Sequence, residues 1–386
     1  MSALRAFLYV QHLLGIGHLR RAATLARALA AQGLRVTLAS GGAAVPGMAV
    51  EGVNFVQLPP ASAADLSFKA LVDEAGRAVD EAWKRQRSAA LLGAWRAADP
   101  HVLVLELYPF GRRQMRFELL PLLEAAAAAP RRPSIVCSVR DILGGQQNQE
   151  RQRETLGLVE RYFDHVLVHA DPGVIAFERT FPAAGRIAQR IEYTGYLVDP
   201  EKSSHDDAGK GEVIVSAGGG AVGARLLEAA LRAKPLTALR DRTWRMLAGN
   251  NLPGEEFGKL ARLAAGGGRI ELERSRADFT TLLSNCALCV SQAGYNTLME
   301  TIRACARAVV VPFAGGNETE QTLRARCFAE RGLLEVVEEA ALTPGALAAA
   351  IDRAARKPRP APGAIDLDGA RKSAALIARW ARQKPA

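Results

Sequence analysis

One stretch of the chain, residues 288–321, combines small residues, carboxylates and amides at spacings that suit the binding of a phosphorylated sugar. An apolar run over 288–290 ends at the small-residue turn 291–294, and a helical pattern carrying the carboxylate Glu300 follows. The start of such a helix presents free N–H groups and the positive end of the helix dipole, which together favour a phosphate. Glu300 lies about two turns into the helix, where it can accept hydrogen bonds from a sugar diol.

More polar side chains follow the next predicted strand, which spans 308–312. A glycine-bearing loop over 315–317 comes first, and the segment 318–321 then opens another helix. Glu320 and Gln321 are the side chains of this segment that we select as candidates for binding the same ligand.

A histidine near the N-terminus is the leading candidate for proton transfer. His18 follows Gly15 and Gly17, which allow the backbone to approach a ligand closely, and it lies at the head of a predicted helix. Burial and the helix dipole both disfavour the protonated imidazole there, so a neutral His18 could act as a general base. The alternative interpretation is a histidine that only caps its helix.

Charged residues also follow two predicted strands of the first half. Glu106 ends one strand and is followed by Arg112, whereas Arg140 and Asp141 come directly after the next strand. In an open parallel sheet, ligands bind beyond the carboxyl ends of the strands. We therefore take Glu106 as the second candidate for the base, and Arg112, Arg140 and Asp141 as candidates for binding an acceptor. A solvated Glu/Arg face or a structural Arg–Asp pair remains the alternative.

The elements that must position these residues alternate between strand and helix. Because the chain opens with a strand–helix–strand unit, a parallel sheet is implied, and a second strand–loop–helix start at residue 212 repeats this pattern. We predict an α/β fold of two Rossmann-like domains. The first half predicts strands at 6–11, 36–40, 53–58, 102–107, 134–139 and 165–169, and helices at 19–32, 70–97 and 113–128.

The predicted domain boundary is the segment 199–211, which is polar and rich in turn formers, as a linker should be. We expect an N-terminal domain over 1–198 on the acceptor side and a C-terminal domain over 212–365 on the donor side. A final segment, 366–386, carries a helical pattern at 369–382.

Composition excludes several classes of protein. A chain of 386 residues with 49% hydrophobic content can bury a large core and fits two domains. No apolar run approaches the roughly 18 residues of a membrane span, and no signal-peptide layout is present, so we expect a cytoplasmic protein. The five cysteines are scattered, and although Cys286 and Cys289 have CxxC spacing, buried structural thiols are the simpler interpretation than a metal or redox site.

The formal net charge of +10 comes from arginines spread along the whole chain. Without a basic block or interleaved aromatic residues, this charge does not indicate nucleic-acid binding. An anionic donor, an anionic acceptor, or peripheral contact with the anionic inner face of a membrane would each suit it. A compositional preference for arginine over lysine explains the charge equally well.

In order and spacing, the motifs of 288–321 resemble the nucleotide-binding half of GT-B glycosyltransferases, most closely family 28, which includes the peptidoglycan N-acetylglucosaminyl transferase. The resemblance implies two Rossmann-like domains that face a central cleft, with a last helix that returns to the first domain. It implies that Glu300 holds the donor ribose, that the backbone over 293–297 holds the diphosphate, and that Gln321 holds hydroxyls of the donor sugar.

The glycine loops at 15–17 and 218–223 begin the two predicted domains, and the resemblance places both beside the donor phosphates. Neither loop fits GxGxxG with an acidic strand end about 20 residues later, which argues against a dinucleotide oxidoreductase. The resemblance also implies that the nucleotide base binds near Arg274 and Ser275. The implied donor-binding residues are Gly17, Gly218, Gly219, Gly220, Arg274, Ser275, Gln292, Ala293, Gly294, Asn296, Thr297, Glu300, Glu320 and Gln321.

The resemblance implies transfer of a hexosyl or N-acetylhexosaminyl group from a nucleotide-diphosphate sugar, with UDP as the expected nucleotide, to an acceptor hydroxyl with inversion. The donor is a co-substrate, and no further cofactor is expected. No Asp-x-Asp pair suits a metal, so we expect metal-independent transfer. The loop GIGH has fewer glycines than the GGTGGH of the peptidoglycan enzyme, so a lipid-linked acceptor is not predicted.

Residues 15–29, GIGHLRRAATLARAL, are also similar to the UDP-sugar hydrolase of pseudaminic acid biosynthesis, in which the corresponding histidine activates water. A nucleotide-sugar hydrolase or an epimerase of the same fold therefore remains an alternative. So does a protein that binds nucleotide sugars without turning them over.

Overall fold

The computed structural model describes residues 3–13, 15–45, 48, 50–64, 70–144, 148–199, 206–219, 222–315 and 319–383. The chain folds into two compact units. The first consists of Met1–Leu197 and Asp368–Ala386, and the second of Val198–Leu367.

Strands and helices alternate through most of both units. The strands are β1 Arg5–Val10, β2 Arg35–Ser40, β3 Val53–Gln57, β4 Ser62–Ala63, β5 Leu71–Val72, β6 Val102–Glu106, β7 Ser134–Arg140, β8 His165–His169, β9 Ile191–Tyr193, β10 Val213–Ser216, β11 Trp244–Leu247, β12 Ile270–Glu273, β13 Leu288–Ser291, β14 Ala308–Val310 and β15 Glu335–Val336. The α-helices are α1 Gly17–Ala31, α2 Glu81–Ala98, α3 Arg116–Ala127, α4 Gln149–Tyr162, α5 Ala224–Ala233, α6 Gly254–Ala265, α7 Phe279–Asn285, α8 Tyr295–Arg303, α9 Glu320–Ala329, α10 Pro344–Arg356 and α11 Gly369–Gln383.

Each unit contains one parallel sheet. The first has seven strands in the order β3-β2-β1-β6-β7-β8-β9, and the second has six in the order β12-β11-β10-β13-β14-β15. In both sheets the strand order reverses once, between β1 and β6 and between β10 and β13. In open α/β sheets, ligands bind at such switch points, beyond the carboxyl ends of the strands. The α/β prediction with parallel sheets is confirmed.

Helices cover both faces of the first sheet, which explains why its central strands are apolar almost throughout. Apolar side chains of α2, α3 and α4 form one buried cluster with the sheet, and those of α1 and α11 form another. In the second cluster, Leu25 and Leu29 of α1 accompany Ile377 and Ala381 of α11. The cysteines form no disulfide, and all are buried except Cys305, which is half-buried.

The helix predicted over 70–97 is wrong in its first part. Residues 71–72 instead pair with β4 as the short strand β5, and a turn follows, in which Asp73 Oδ1 accepts the backbone N–H of Arg77 (2.9 Å). Gly76 adopts a φ of +75° in this turn. The helix begins only after Asp80, whose side chain accepts the N–H of Trp83 (2.7 Å). Local turn and capping bonds therefore outweigh the apolar periodicity.

Candidate active site

Three polar side chains meet at the switch point of the first sheet. His18 Nδ1 lies 2.8 Å from Glu106 Oε1 and 2.9 Å from Oε2. Arg21 Nη2 donates to Glu106 Oε1 over 2.6 Å and lies 2.9 Å from His18 Nδ1. The two residues that the sequence offered as alternative bases are thus hydrogen-bonded to each other.

Local structure explains this meeting. Helix α1 begins at Gly17, so His18 lies in its first turn and Arg21 lies one turn later on the same face. Glu106 is the last residue of β6, which pairs directly with β1. The loop after β1 and the end of β6 are therefore neighbours at the carboxyl edge of the sheet.

The cluster keeps Glu106 ionised. Burial raises the pKa of this carboxyl, but the charges and hydrogen bonds of His18, Arg21 and Arg112 outweigh burial and hold the pKa below its usual range. Because the side chain of Glu106 is only 4% exposed, the residues around it block direct contact between its carboxylate and a substrate. This carboxylate suits the orientation of His18 better than direct proton transfer to a substrate.

His18 is neutral at physiological pH. Burial lowers its pKa to about 3; the charge of Glu106 opposes this effect, and the charges of Arg112 and Arg21 reinforce it. A carboxylate can only accept hydrogen bonds, so we assign the imidazole proton to Nδ1, facing Glu106. The lone pair then lies on Nε2. No residue in the described part of the chain hydrogen-bonds to Nε2, and 15% of the side chain is exposed. Such a nitrogen can take a proton from a bound hydroxyl or water.

The three predicted acceptor residues lie at the same edge of the sheet. Arg112 Nε donates to the backbone oxygen of Gln11, directly after β1, over 2.7 Å. Arg140 ends β7, and the next residue, Asp141, is fully buried. The Asp141 carboxylate accepts the backbone N–H of Ile142 over 2.9 Å.

The second sheet has its own switch point, where two helices start side by side. Gly223 precedes α5 and Gly294 precedes α8, and glycine has no side chain to cap the free N–H groups of either helix. Gly218 has a φ of +70°, and a Cβ at that position would lie 3.8 Å from Oγ1 of Thr297 in α8. Gly218 therefore lies beside the start of α8, which gives a site with the chemistry of a phosphate cradle.

Side chains fix the loops around these helix starts. Gln292 Nε2 donates to the backbone oxygen of Val222 over 2.6 Å, and Asn251 Nδ2 donates to that of Gly219 over 2.7 Å. Arg274 and Ser275 hold the loop after β11: Arg274 Nη1 donates to Leu252 O (2.9 Å), and Ser275 Oγ donates to Asn250 Oδ1 (2.9 Å). These predicted donor-binding side chains thus also support the loop backbone.

Glu300 lies in the second turn of α8. It shares a helix face with Asn296 and Thr297, four and three residues earlier respectively, and all three are half-buried. Ala293, just before the helix, is fully buried. Gly220 lies outside the described residues.

The last two donor-site predictions lie at the start of α9. Gln321 Oε1 accepts the backbone N–H of Phe313 over 3.2 Å. Glu320 accepts a hydrogen bond from Arg324 Nη2 over 2.6 Å, and Arg324 Nη1 reaches the backbone oxygen of Ala293 over 3.3 Å. Arg324 is fully buried, so this ion pair ties α9 to the loop that opens α8.

Residues 214–376 match the model of the glycosyltransferase family 28 C-terminal domain, which accounts for less than half of the chain. Solved glycosyltransferases are similar over nearly the whole length. The glycotransferase of kitacinnamycin has a TM-score of 0.62 at 16% identity, with 100% of both chains covered. MurG from Acinetobacter baumannii has a TM-score of 0.58 at 16% identity, with 97% of this chain and 99% of MurG covered.

The chain has the GT-B fold, and its second unit carries most of the region that matches the family 28 domain. A third similar structure is Os79 from O. sativa in complex with UDP, with a TM-score of 0.62 at 13% identity and coverage of 97% of this chain and 100% of Os79. No curated protein matches this sequence.

One buried histidine near this site was not predicted from the sequence. His169 is fully buried at the end of β8, where Nε2 lies 2.7 Å from Ser138 Oγ and Nδ1 lies 2.9 Å from Thr194 Oγ1. Burial lowers the pKa of His169 to about 3, with Arg21 reinforcing and Glu106 opposing the shift. The rule that located Glu106, a polar residue at the carboxyl end of a strand, applies equally to His169.

The sequence does contain one Asp-x-Asp segment, Asp366–Asp368, just before α11. Asp368 pairs there with Arg371, in the first turn of that helix. Within the described ranges, no three His, Cys, Asp or Glu side chains are grouped to hold a metal ion. The same ranges contain no helix with the length and apolar character needed to cross a membrane.

Proposed function

We propose that the protein is a glycosyltransferase that moves a hexosyl or N-acetylhexosaminyl group from a UDP-sugar to an acceptor hydroxyl, with inversion and without a metal. The observation that carries the proposal is the His18–Glu106 pair at the switch point of the first sheet, in which Nδ1 lies 2.8 Å from the carboxylate and the side chain is partly exposed. Support for the donor comes from the family 28 match and from the paired helix starts of the second unit.

In the proposed reaction, His18 Nε2 takes the proton of the acceptor hydroxyl as that oxygen attacks the anomeric carbon of the donor. The new glycosidic C–O bond forms while the C–O bond to the diphosphate breaks, and UDP leaves with the bonding electrons. Glu106 keeps the reactive lone pair on Nε2 and stabilises the imidazolium that forms, as the carboxylate of a catalytic triad does. His18 then releases its proton to solvent.

The second unit stabilises the leaving group in this proposal. Negative charge grows on the diphosphate as the bond breaks, and preorganised N–H donors near Gly218 and Gly294 lower the energy of that state. Glu300 accepts hydrogen bonds from the ribose diol, and Gln321 from the donor sugar.

Release of nucleoside diphosphate from a panel of nucleotide sugars in EDTA tests the proposal. We expect UDP-sugars to release UDP slowly in buffer and faster when a panel of small alcohols and sugars supplies a hydroxyl. Rapid release in buffer alone would instead support a hydrolase, in which His18 activates water. Binding without release from any donor would indicate a binding protein. The absence of both binding and release would contradict the proposal.

A further inference from the structure

Arg112 has an unusual backbone conformation close to the proposed base. Its φ and ψ are 62° and 30°, in the left-handed region that residues other than glycine rarely occupy. Leu107, directly after Glu106, also has a positive φ, of 68°. Both residues belong to the loop that follows β6. Strained backbone of this kind persists where the surrounding structure enforces it, and it is concentrated at functional sites.

The guanidinium of Arg112 is anchored on one side only. Nε donates to Gln11 O over 2.7 Å, which fixes the plane of the group at the end of β1. Among the residues that the structure describes, none accepts a hydrogen bond from Nη1 or Nη2. Burial lowers the pKa of Arg112 to about 10, with Glu106 opposing and Arg140 and Arg21 reinforcing the shift. A largely desolvated cation with unused donors favours an anionic ligand.

The charges around Arg112 favour the same kind of ligand. The cluster at this edge contains the guanidiniums of Arg21, Arg112 and Arg140 and the carboxylates of Glu106 and Asp141. With His18 neutral, the cations outnumber the anions by one. An anionic group would balance this charge.

We propose that Arg112 binds a phosphate or carboxylate group of the acceptor through Nη1 and Nη2, with Arg140 contributing charge. The inference rests on the proposed function, because it takes the first unit as the acceptor side. It assigns the anion to the acceptor since Arg112 and the base His18 belong to the same cluster, whereas the proposed phosphate cradle for the donor lies in the second unit. The acceptor is then an anionic alcohol, such as a sugar phosphate or a hydroxy acid.

Calorimetric titration of the UDP-saturated enzyme tests this inference, with methyl phosphate in one arm and acetate in the other. We expect one of the two anions to bind the wild-type enzyme. Arg112→Gln should weaken that binding about 10- to 100-fold, because a bidentate charged contact is lost. Arg112→Lys keeps the charge but loses the forked pair of donors, so its affinity for the anion should lie between those of the wild type and Arg112→Gln. The matched control is Arg113→Gln, which removes an exposed arginine paired with Glu154 and should bind as the wild type does.

The outcomes separate this inference from the proposed function. Equal anion affinity in the wild type and Arg112→Gln, or no saturable binding of either anion to the wild type, would overturn the assignment of Arg112. A loss of UDP affinity in Arg112→Gln would also overturn it, because Arg112 would then bind the phosphates of the donor and not an anionic group of the acceptor. If Arg112→Gln does not fold, Arg112→Lys decides through its loss of anion affinity. A failure of UDP to bind the wild type would instead count against the proposed function.

Discussion

Replacing His18 with alanine is expected to lower kcat by about 10²- to 10⁴-fold, the usual cost of losing a general base. UDP affinity should change little, because the proposed nucleotide site lies in the second unit. The rate is measured at saturating donor, so that an effect on KM is separated from one on the chemical step. Arg20→Ala is the matched control, since Arg20 lies in the same helix with its side chain exposed, and it should keep wild-type turnover.

The pH profile of the wild type provides a second check on His18. A general base must be unprotonated, so activity is lost as the pH falls through its pKa. Because burial lowers the pKa of His18 to about 3, kcat/KM should stay level through neutral pH and not fall near the ordinary histidine value. Survival of activity within a few-fold in His18→Ala would make the histidine a structural cap. Collapse of UDP binding in that variant would instead assign the loop GIGH to the donor.

Replacing Arg87 with methionine is expected to destabilise the protein by about 3–5 kcal/mol, the cost of breaking a buried ion pair. Arg87 and Glu118 are both fully buried, and Arg87 Nε lies 2.8 Å from Glu118 Oε2. Arg87 also donates to Gln11 Oε1 (2.8 Å) and to Gly41 O (3.1 Å), so it ties together the loops after β1 and β2. Glu118 would remain as a buried carboxylate without its cation, which is the source of the cost.

Urea unfolding checks this prediction, because the midpoint and slope give the free energy of unfolding. Arg85→Met is the matched control: Arg85 is exposed on the same helix, and its replacement should change stability by less than about 0.5 kcal/mol. Equal stability of the two variants would show that Arg87 does not hold the loops.

The sequence predicted the α/β fold from local pattern alone. Alternating apolar strands and amphipathic helices placed β1, β8 and α1 within two residues of their observed bounds. The start of α2 was missed because the turn at Asp73 and Gly76 depends on side-chain bonds that apolar periodicity does not reveal.

The site was predictable to the extent that its residues end strands or open helices. This rule predicts His18 and Glu106 as two separate candidate bases. It does not predict that they are hydrogen-bonded to each other, because sequence does not give the distance between β6 and the start of α1. Arg21 and Arg324 were missed for a related reason. Both are buried arginines within helices, and their partners come from distant segments, 85 residues away for Arg21 and Glu106, and 31 residues away for Arg324 and Ala293.

The most direct test of the central claim, a metal-independent nucleotide site in the second unit, is calorimetric titration with UDP in EDTA. We expect saturable binding to the wild type. We expect Glu300→Ala to weaken binding by about one to two orders of magnitude, because charged hydrogen bonds to a diol contribute roughly 1.5–3 kcal/mol. Glu271→Ala, which removes an exposed carboxylate of the same unit, should bind UDP as the wild type does. Loss of all binding on chelation, or unchanged affinity in a folded Glu300→Ala variant, would contradict the account.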